Sequence, residues 1–333
     1  MNSRERVFSV INHKKPDRMP CFGANSTVTY EQMEKVQAFW PEGHENGEAM
    51  AKQALAAYTV LGFDAVRVPF CQTFEAEALG CIRKSGGKEG IPGIAHPPPY
   101  KLDDTPVFPK DFLSRGHIPE LLKAVAILKK EIGNEAVIVG GIIGPFTIAG
   151  SLIDTVPLLR ATFKAADKIR PFLEVGQKAS AALANAMIDA GADIIAVEDM
   201  TASPDLIAPK TYRDLEVEYQ TRVFESIAVP KILHICGNVD SIVEWMGQTG
   251  AEILSIEPKA DAELSRRKCG PNMILMGGVD TATVLFMKDA ATVREACEEQ
   301  IATGIQILAP GCAVAPGSPL ENLLAMVEVA KKH

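Results

Sequence analysis

Eight short apolar runs recur along the chain: Met19 to Gly23, Ala65 to Phe70, Ala136 to Gly141, Asp193 to Glu198, Lys231 to Cys236, Glu252 to Glu257, Met273 to Gly278 and Ile305 to Pro310. Between them lie stretches of helical periodicity, among them Glu48 to Leu61, Pro171 to Ala190, Leu215 to Ile227, Val239 to Gln248, Thr292 to Thr303 and Pro319 to Lys332. Eight strands alternating with helices describe an α/β fold, a (β/α)8 TIM barrel. At 333 residues, 47% hydrophobic and 23% charged, the chain can bury one core of that size. Length alone also accommodates two smaller domains. No internal repeat or low-complexity tract marks a second one, so residues 1–333 are read as a single domain.

Two regions need separate treatment. Ala136 to Ile153 is uncharged for 18 residues, the lower limit for a membrane helix, but Gly140, Gly141, Gly144, Gly150 and Pro145 argue for a buried strand, a loop and a helix start. Cys71 to Glu135, between the second and third strands, is longer than a β/α crossover and contains Gly86-Gly87 and Pro97-Pro98-Pro99. An extended excursion over the barrel mouth is expected there, as a lid or docking surface. The last helix has a marked start, with Ser318 as cap, Pro319 at the first helical position and Glu321 closing a capping box.

The formal net charge of -8, without a long block of like charges, disfavours nucleic-acid and anionic-membrane partners. Seven cysteines at irregular spacing, with no secretory apolar segment, imply free thiols in a reducing, cytoplasmic compartment. Cysteines are therefore available as metal ligands.

His234 and Cys236 form an H-x-C pair ending the fifth run, and Cys312 follows the eighth. With 6 His and 7 Cys in 333 residues, H-x-C alone arises by chance about 0.13 times, so context must supply the specificity. Barrel enzymes place their chemistry at the carboxyl ends of the strands, and alternation points His234 and Cys236 to the same side. One imidazole and two thiolates then make a three-ligand zinc site with a fourth position open. The bland alternative is two buried cysteines and a core histidine. Zinc in such a site deprotonates a thiol substrate and presents it as a nucleophile; two thiolate ligands make the metal a poorer activator of water, which disfavours hydrolysis. Neither a G-x-G-x-x-G turn nor a paired P-C-x-x-C is present to support an oxidoreductase or a deaminase.

Other residues carry weaker expectations. Arg67, within the second strand, faces the barrel axis if Val66 and Val68 face the helices, and an unpaired charge there is costly. It would hold an acidic group of the substrate, or else pair internally with Glu198. Glu198 and Glu257 end the strands flanking the fifth, where either could orient His234 or occupy the fourth metal position; ordinary pairing with Arg67 or Lys259 is the alternative. Cys21 and Cys71 lie near strand ends and read as buried core thiols before alternative ligands. Cys297 reads as a helix residue and Cys269 as a loop residue. His13, His44, His96, His117 and His333 have no partner pattern.

The chain resembles the methylcobamide:coenzyme M methyltransferases, a zinc-dependent branch of the uroporphyrinogen decarboxylase superfamily. The resemblance runs through Arg4-Glu5-Arg6-Val7, Lys15-Pro16-Asp17-Arg18-Met19-Pro20, Trp40-Pro41-Glu42-Gly43-His44, Gly191-Ala192-Asp193 and Ala202-Ser203-Pro204. Its most specific parts are Leu233-His234-Ile235-Cys236-Gly237 and Leu308-Ala309-Pro310-Gly311-Cys312 with Pro319-Leu320-Glu321-Asn322. The resemblance implies that zinc on His234, Cys236 and Cys312 binds the thiol of coenzyme M. The thiolate then takes a methyl group from methylcobalamin carried by a partner corrinoid protein. If the thiol is coenzyme M, the acidic group expected at Arg67 is a sulfonate. A decarboxylase of the parent family would carry an arginine-rich stretch after the first strand, where this chain reads Cys21-Phe22-Gly23-Ala24-Asn25-Ser26. Two other readings stay open: a demethylase that loads the corrinoid from a methylated amine, ether or thiol, and a corrinoid-protein-binding scaffold with a structural zinc.

Overall fold

In a computed structural model that describes residues 1–333, nine strands form. They are β1 (Ala65–Val68), β2 (Arg83–Lys84), β3 (Gly93–Ile94), β4 (Val137–Ile143), β5 (Ile194–Glu198), β6 (Lys231–His234), β7 (Ile253–Ile256), β8 (Ile274–Val279) and β9 (Ile307–Pro310). Seven make one parallel sheet in the order β1-β4-β5-β6-β7-β8-β9. Spatial order follows chain order, so each strand is laid beside the previous one after a crossover, as a TIM-type barrel requires. The seven strands are buried almost throughout, with Lys231 at the start of β6 the exception, which is why they read as apolar runs instead of an alternating pattern. The core is one contiguous cluster of 97 buried residues.

The first expected strand, Met19 to Gly23, is reduced to a single parallel bridge between Cys21 and Leu308. It still closes the barrel. On one side Leu308 N–H donates to Pro20 O (3.0 Å) and Phe22 N–H donates to Leu308 O (3.1 Å). On the other side Asp64 N–H donates to Cys21 O (2.9 Å), and Cys21 N–H donates to the Asp64 carboxylate (2.9 Å). Pro20 has no N–H to extend a ladder, and the Cys21 N–H takes a side-chain acceptor in place of a strand carbonyl. Asp64 also accepts from Arg6 Nη1 at 2.7 Å and from Arg18 Nη2 at 3.0 Å, which fastens the N-terminal helix Ser3–Ile11 to the barrel.

The excursion between β1 and β4 contains the helix Phe74–Ala78, the antiparallel hairpin β2–β3 and the helix Ile118–Ile132. Its Ile91–Ile94 segment reaches the barrel mouth and lines a cavity there with Ser26, Arg67, Gln72, Glu198 and Ala313. The uncharged stretch resolves into β4 and the helix Pro145–Ile153. No helix is long and apolar enough to cross a membrane.

The last helix runs over Leu320–Ala330, and its expected capping box does not form. Ser318 Oγ has no partner, and Leu320 N–H donates instead to the carboxylate of Glu31 at 3.0 Å. A charged acceptor from the helix Tyr30–Val36 replaces the local hydroxyl.

Candidate metal centre

β6 ends at His234, and Cys236 lies in the turn that follows, where Gly237 adopts a left-handed φ of 86°. Ser203 Oγ donates to Cys236 O at 2.8 Å and pins that turn from the β5 side. β9 ends at Pro310; Gly311 N–H then donates to Val279 O at 2.8 Å, turning the chain so that Cys312 faces Cys236. A Cβ on Gly311 would sit 2.9 Å from Pro258 Cδ, so this close approach needs glycine.

The two sulfurs are 3.8 Å apart, and Cys236 Sγ is 3.5 Å from His234 Nε2. Zinc–sulfur bonds of about 2.3 Å and a zinc–nitrogen bond of about 2.05 Å give tetrahedral edges of about 3.8 Å and about 3.6 Å. The donor set therefore fits that ion in both chemistry and spacing. A carboxylate oxygen of Glu257 completes a group of four whose ligand atoms lie within 4.8 Å of one another. Gly237 N–H donates to Glu257 Oε1 at 2.7 Å, which holds the carboxylate beside the cysteines.

His234 is fully buried, with Nδ1 3.1 Å from Ser255 Oγ and 3.3 Å from Ser255 O. Donation from Nδ1–H to Ser255 leaves the Nε2 lone pair facing the sulfurs, the tautomer a metal ligand needs. The Cys236 thiol is pushed up chiefly by its contact with Cys312, and the same contact, helped by His234, holds Cys312 down. Burial alone would push His234 down, but the hydrogen bond and charge of Cys312, with Glu198 and Glu257 nearby, leave it raised. The three donors thus share protons that a metal ion would displace.

Of the other anticipated residues, Arg67 does face the interior, but it is paired: Nη2 bonds Glu198 and Nη1 donates to Pro69 O. Its Nε has no partner. Glu198 is held by Arg67 and Gln72, not by His234, whose second nitrogen belongs to Ser255. Cys21 lies fully buried at the closing bridge and Cys71 contacts Thr73 Oγ1, both outside the four-residue group. Cys297 is buried in helix packing, whereas Cys269 ends the helix Ala262–Cys269 and does not lie in a loop. His44 is buried against Trp40, with both ring nitrogens unpartnered, and burial pushes it down to about 3.

Ser255, Gln72 and Glu75 were not anticipated. Ser255 is the polar residue interrupting Ile253-Leu254-Ser255-Ile256 and lies in register with His234 on the neighbouring strand, a signal that exists in the sequence once β6 and β7 are aligned.

The uroporphyrinogen decarboxylase family model matches residues 2–333. The chain belongs to the uroporphyrinogen decarboxylase family. Within it, the chain is 37% identical over 332 residues to a protein of Methanosarcina barkeri named methylcobamide:CoM methyltransferase MtaA, covering 99% of this chain and 98% of that one. It is 35% identical to methylcobamide:CoM methyltransferase MtbA of Methanosarcina mazei, with the same shares covered. A solved methyltransferase from Methanosarcina mazei superposes with a TM-score of 0.95 at 36% identity, over 100% of this chain and 99% of that one. This family member thus shares its whole length with methyl-transferring relatives, and its barrel has the same architecture.

Proposed function

We propose that this protein is a zinc-dependent methyltransferase moving a methyl group from a methylated corrinoid protein to a thiol, with coenzyme M as the acceptor. The observation that carries the reading is the tetrahedral spacing of His234 Nε2, Cys236 Sγ and Cys312 Sγ at the barrel mouth. The full-length relatives named methylcobamide:CoM methyltransferases support the same chemistry.

His234, Cys236 and Cys312 would hold the metal, with Glu257, fastened by Gly237 N–H, beside them as a fourth donor. Zinc bound there supplies the Lewis acidity that lowers the thiol pKa and leaves a nucleophilic sulfur at neutral pH. Ser255 keeps the imidazole oriented. The non-sulfur end of the thiol extends into the cavity lined by Arg67, Gln72, Glu198 and Ala313, where Arg67 is the one cation. Methyl transfer forms an S–C bond as the Co–C bond breaks; the bonding pair stays on cobalt, taking Co(III) to Co(I), and the thiol proton leaves to solvent.

The test follows the visible spectrum of methylcobalamin with zinc-loaded enzyme and coenzyme M, beside Cys312→Ala. Thiol-dependent demethylation in the native enzyme and its loss in the variant are the expected results. Equal demethylation by the variant would refute the ligand assignment. No transfer to any of a panel of thiols, with methylation of Co(I) from a methylated amine, ether or thiol, would establish the corrinoid-loading direction instead.

A further inference from the structure

Behind the cavity that adjoins Cys312 lies a carboxyl with no assigned role. Glu75, in the short helix Phe74–Ala78, is 2% exposed, and its Oε1 accepts from Ile143 N–H at 2.8 Å. Ile143 is in register with Glu198 of β5, whose carboxylate pairs with Arg67 of β1, and Arg67 and Glu198 both line the cavity. Two buried carboxyls therefore stand beside one buried guanidinium. Glu198 already pairs with Arg67 and also takes the Gln72 amide, so Glu75 has no cation of its own.

The surroundings offer it no other charge. The helix Pro145–Ile153 packed against it has no ionisable residue, and none of the buried residues of the helices Ile118–Ile132 and Ala166–Ala190, which also pack there, is ionisable. On its own helix, Glu77 is engaged with His117. Beyond the helix, Arg83 is engaged elsewhere: it donates to Thr73 Oγ1 and to His44 O and pairs with Glu45 at 3.7 Å.

We propose that protonation of Glu75 sets the net charge of the cavity beside the metal centre, and so makes the preference for anionic over neutral thiols depend on pH. With Glu75 neutral, Arg67 and Glu198 balance and an incoming anion meets a neutral pocket. With Glu75 ionised, the cluster carries one excess negative charge that repels the same anion. Burial pushes the Glu75 carboxyl up to about 7 against the Ile143 hydrogen bond, and the Glu198 charge adds to the rise. Anionic thiols then lose affinity as pH rises through that value, while neutral thiols do not. A unit charge on the order of 10 Å away, at an effective dielectric constant near 20, changes the affinity roughly tenfold.

The inference rests on the thiol-binding role proposed above, so its test compares two thiols that differ only in their tails. Zinc-loaded enzyme is titrated calorimetrically with 2-mercaptoethanesulfonate and with 2-mercaptoethanol at about pH 6 and about pH 8, on either side of the Glu75 transition. Taking the ratio of the two affinities cancels the deprotonation common to both. The expected ratio favours the sulfonate roughly tenfold more at the lower pH, and in Glu75→Gln it stays at the low-pH value. A second readout needs neither metal nor thiol: the infrared carbonyl band of a buried protonated carboxyl, present at the lower pH, lost at the higher and absent in Glu75→Gln. A pH-independent ratio in the native enzyme, a pH dependence that survives in Glu75→Gln, or no such band at the lower pH would each overturn the inference. If neither thiol binds, the functional reading falls and this one with it; if both bind with one pH profile, only this one falls.

Discussion

Asp64→Asn tests how the barrel is closed. Asp64 is fully buried and accepts hydrogen bonds from Arg6, Arg18 and the Cys21 amide, while its own amide donates to Cys21 O. The variant keeps the size of the side chain but leaves two guanidinium groups facing a neutral amide, of which Arg6 is itself buried. Removing one partner of a buried ion pair costs about 3–5 kcal/mol. At about 2.1 cal/mol/K per residue, 333 residues give an unfolding entropy of about 0.7 kcal/mol/K, so Tm falls by about 4–7 °C. Asp17→Asn is the control: Asp17 also binds Arg6, at 2.7 Å, but its side chain is 39% exposed. The control should lose at most about 1 kcal/mol. Thermal unfolding followed by circular dichroism gives the shifts, and amide hydrogen exchange at Cys21 reports the closure itself. A drop no larger than that of the control, with Cys21 exchange unchanged, would refute the view that this carboxylate substitutes for a strand.

Ser255→Ala removes the 3.1 Å contact to His234 Nδ1 but leaves the Ser255 carbonyl at 3.3 Å, so zinc affinity should fall about tenfold, the lower end of such effects. Competition with a chromophoric chelator measures it, and unchanged affinity would remove the orienting role. Glu75 should also be visible in stability. Burial raises it from an ordinary 4.5 to about 7, so the folded state binds the extra proton between those values, and its contribution is complete below about pH 4.5 and lost as pH rises through about 7. The loss amounts to about 3 kcal/mol. Urea unfolding across that window should show a downward slope that Glu75→Gln flattens; identical slopes would exclude the protonated carboxyl.

Much of the fold was legible because its signals are local. Eight apolar runs separated by helical periodicity describe the staves of a barrel, and Pro145 with the surrounding glycines shows that Ala136 to Ile153 turns back on itself. The His234–Cys236 spacing of two residues and the position of Cys312 after the last run place the donors at one end of the barrel. Where the sequence misled, a long-range partner had displaced a local one. Ser318 has the right spacing for a cap, yet the cap is Glu31, 289 residues from Leu320. Met19 to Gly23 has the composition of a strand, yet the Asp64 side chain takes over part of its ladder.

By itself, then, the sequence determined seven of the barrel strands and which donor types lie at strand ends, since periodicity and spacing act over a few residues. Tertiary structure alone decided that Cys236 and Cys312, 76 residues apart, approach to 3.8 Å. It also decided that Arg67 pairs with Glu198 and that His234 turns its second nitrogen to Ser255. The reason is common to all three. A buried polar group must find a partner, and which one it meets is set by strand register around a closed barrel, a property of the whole sheet and of no single segment.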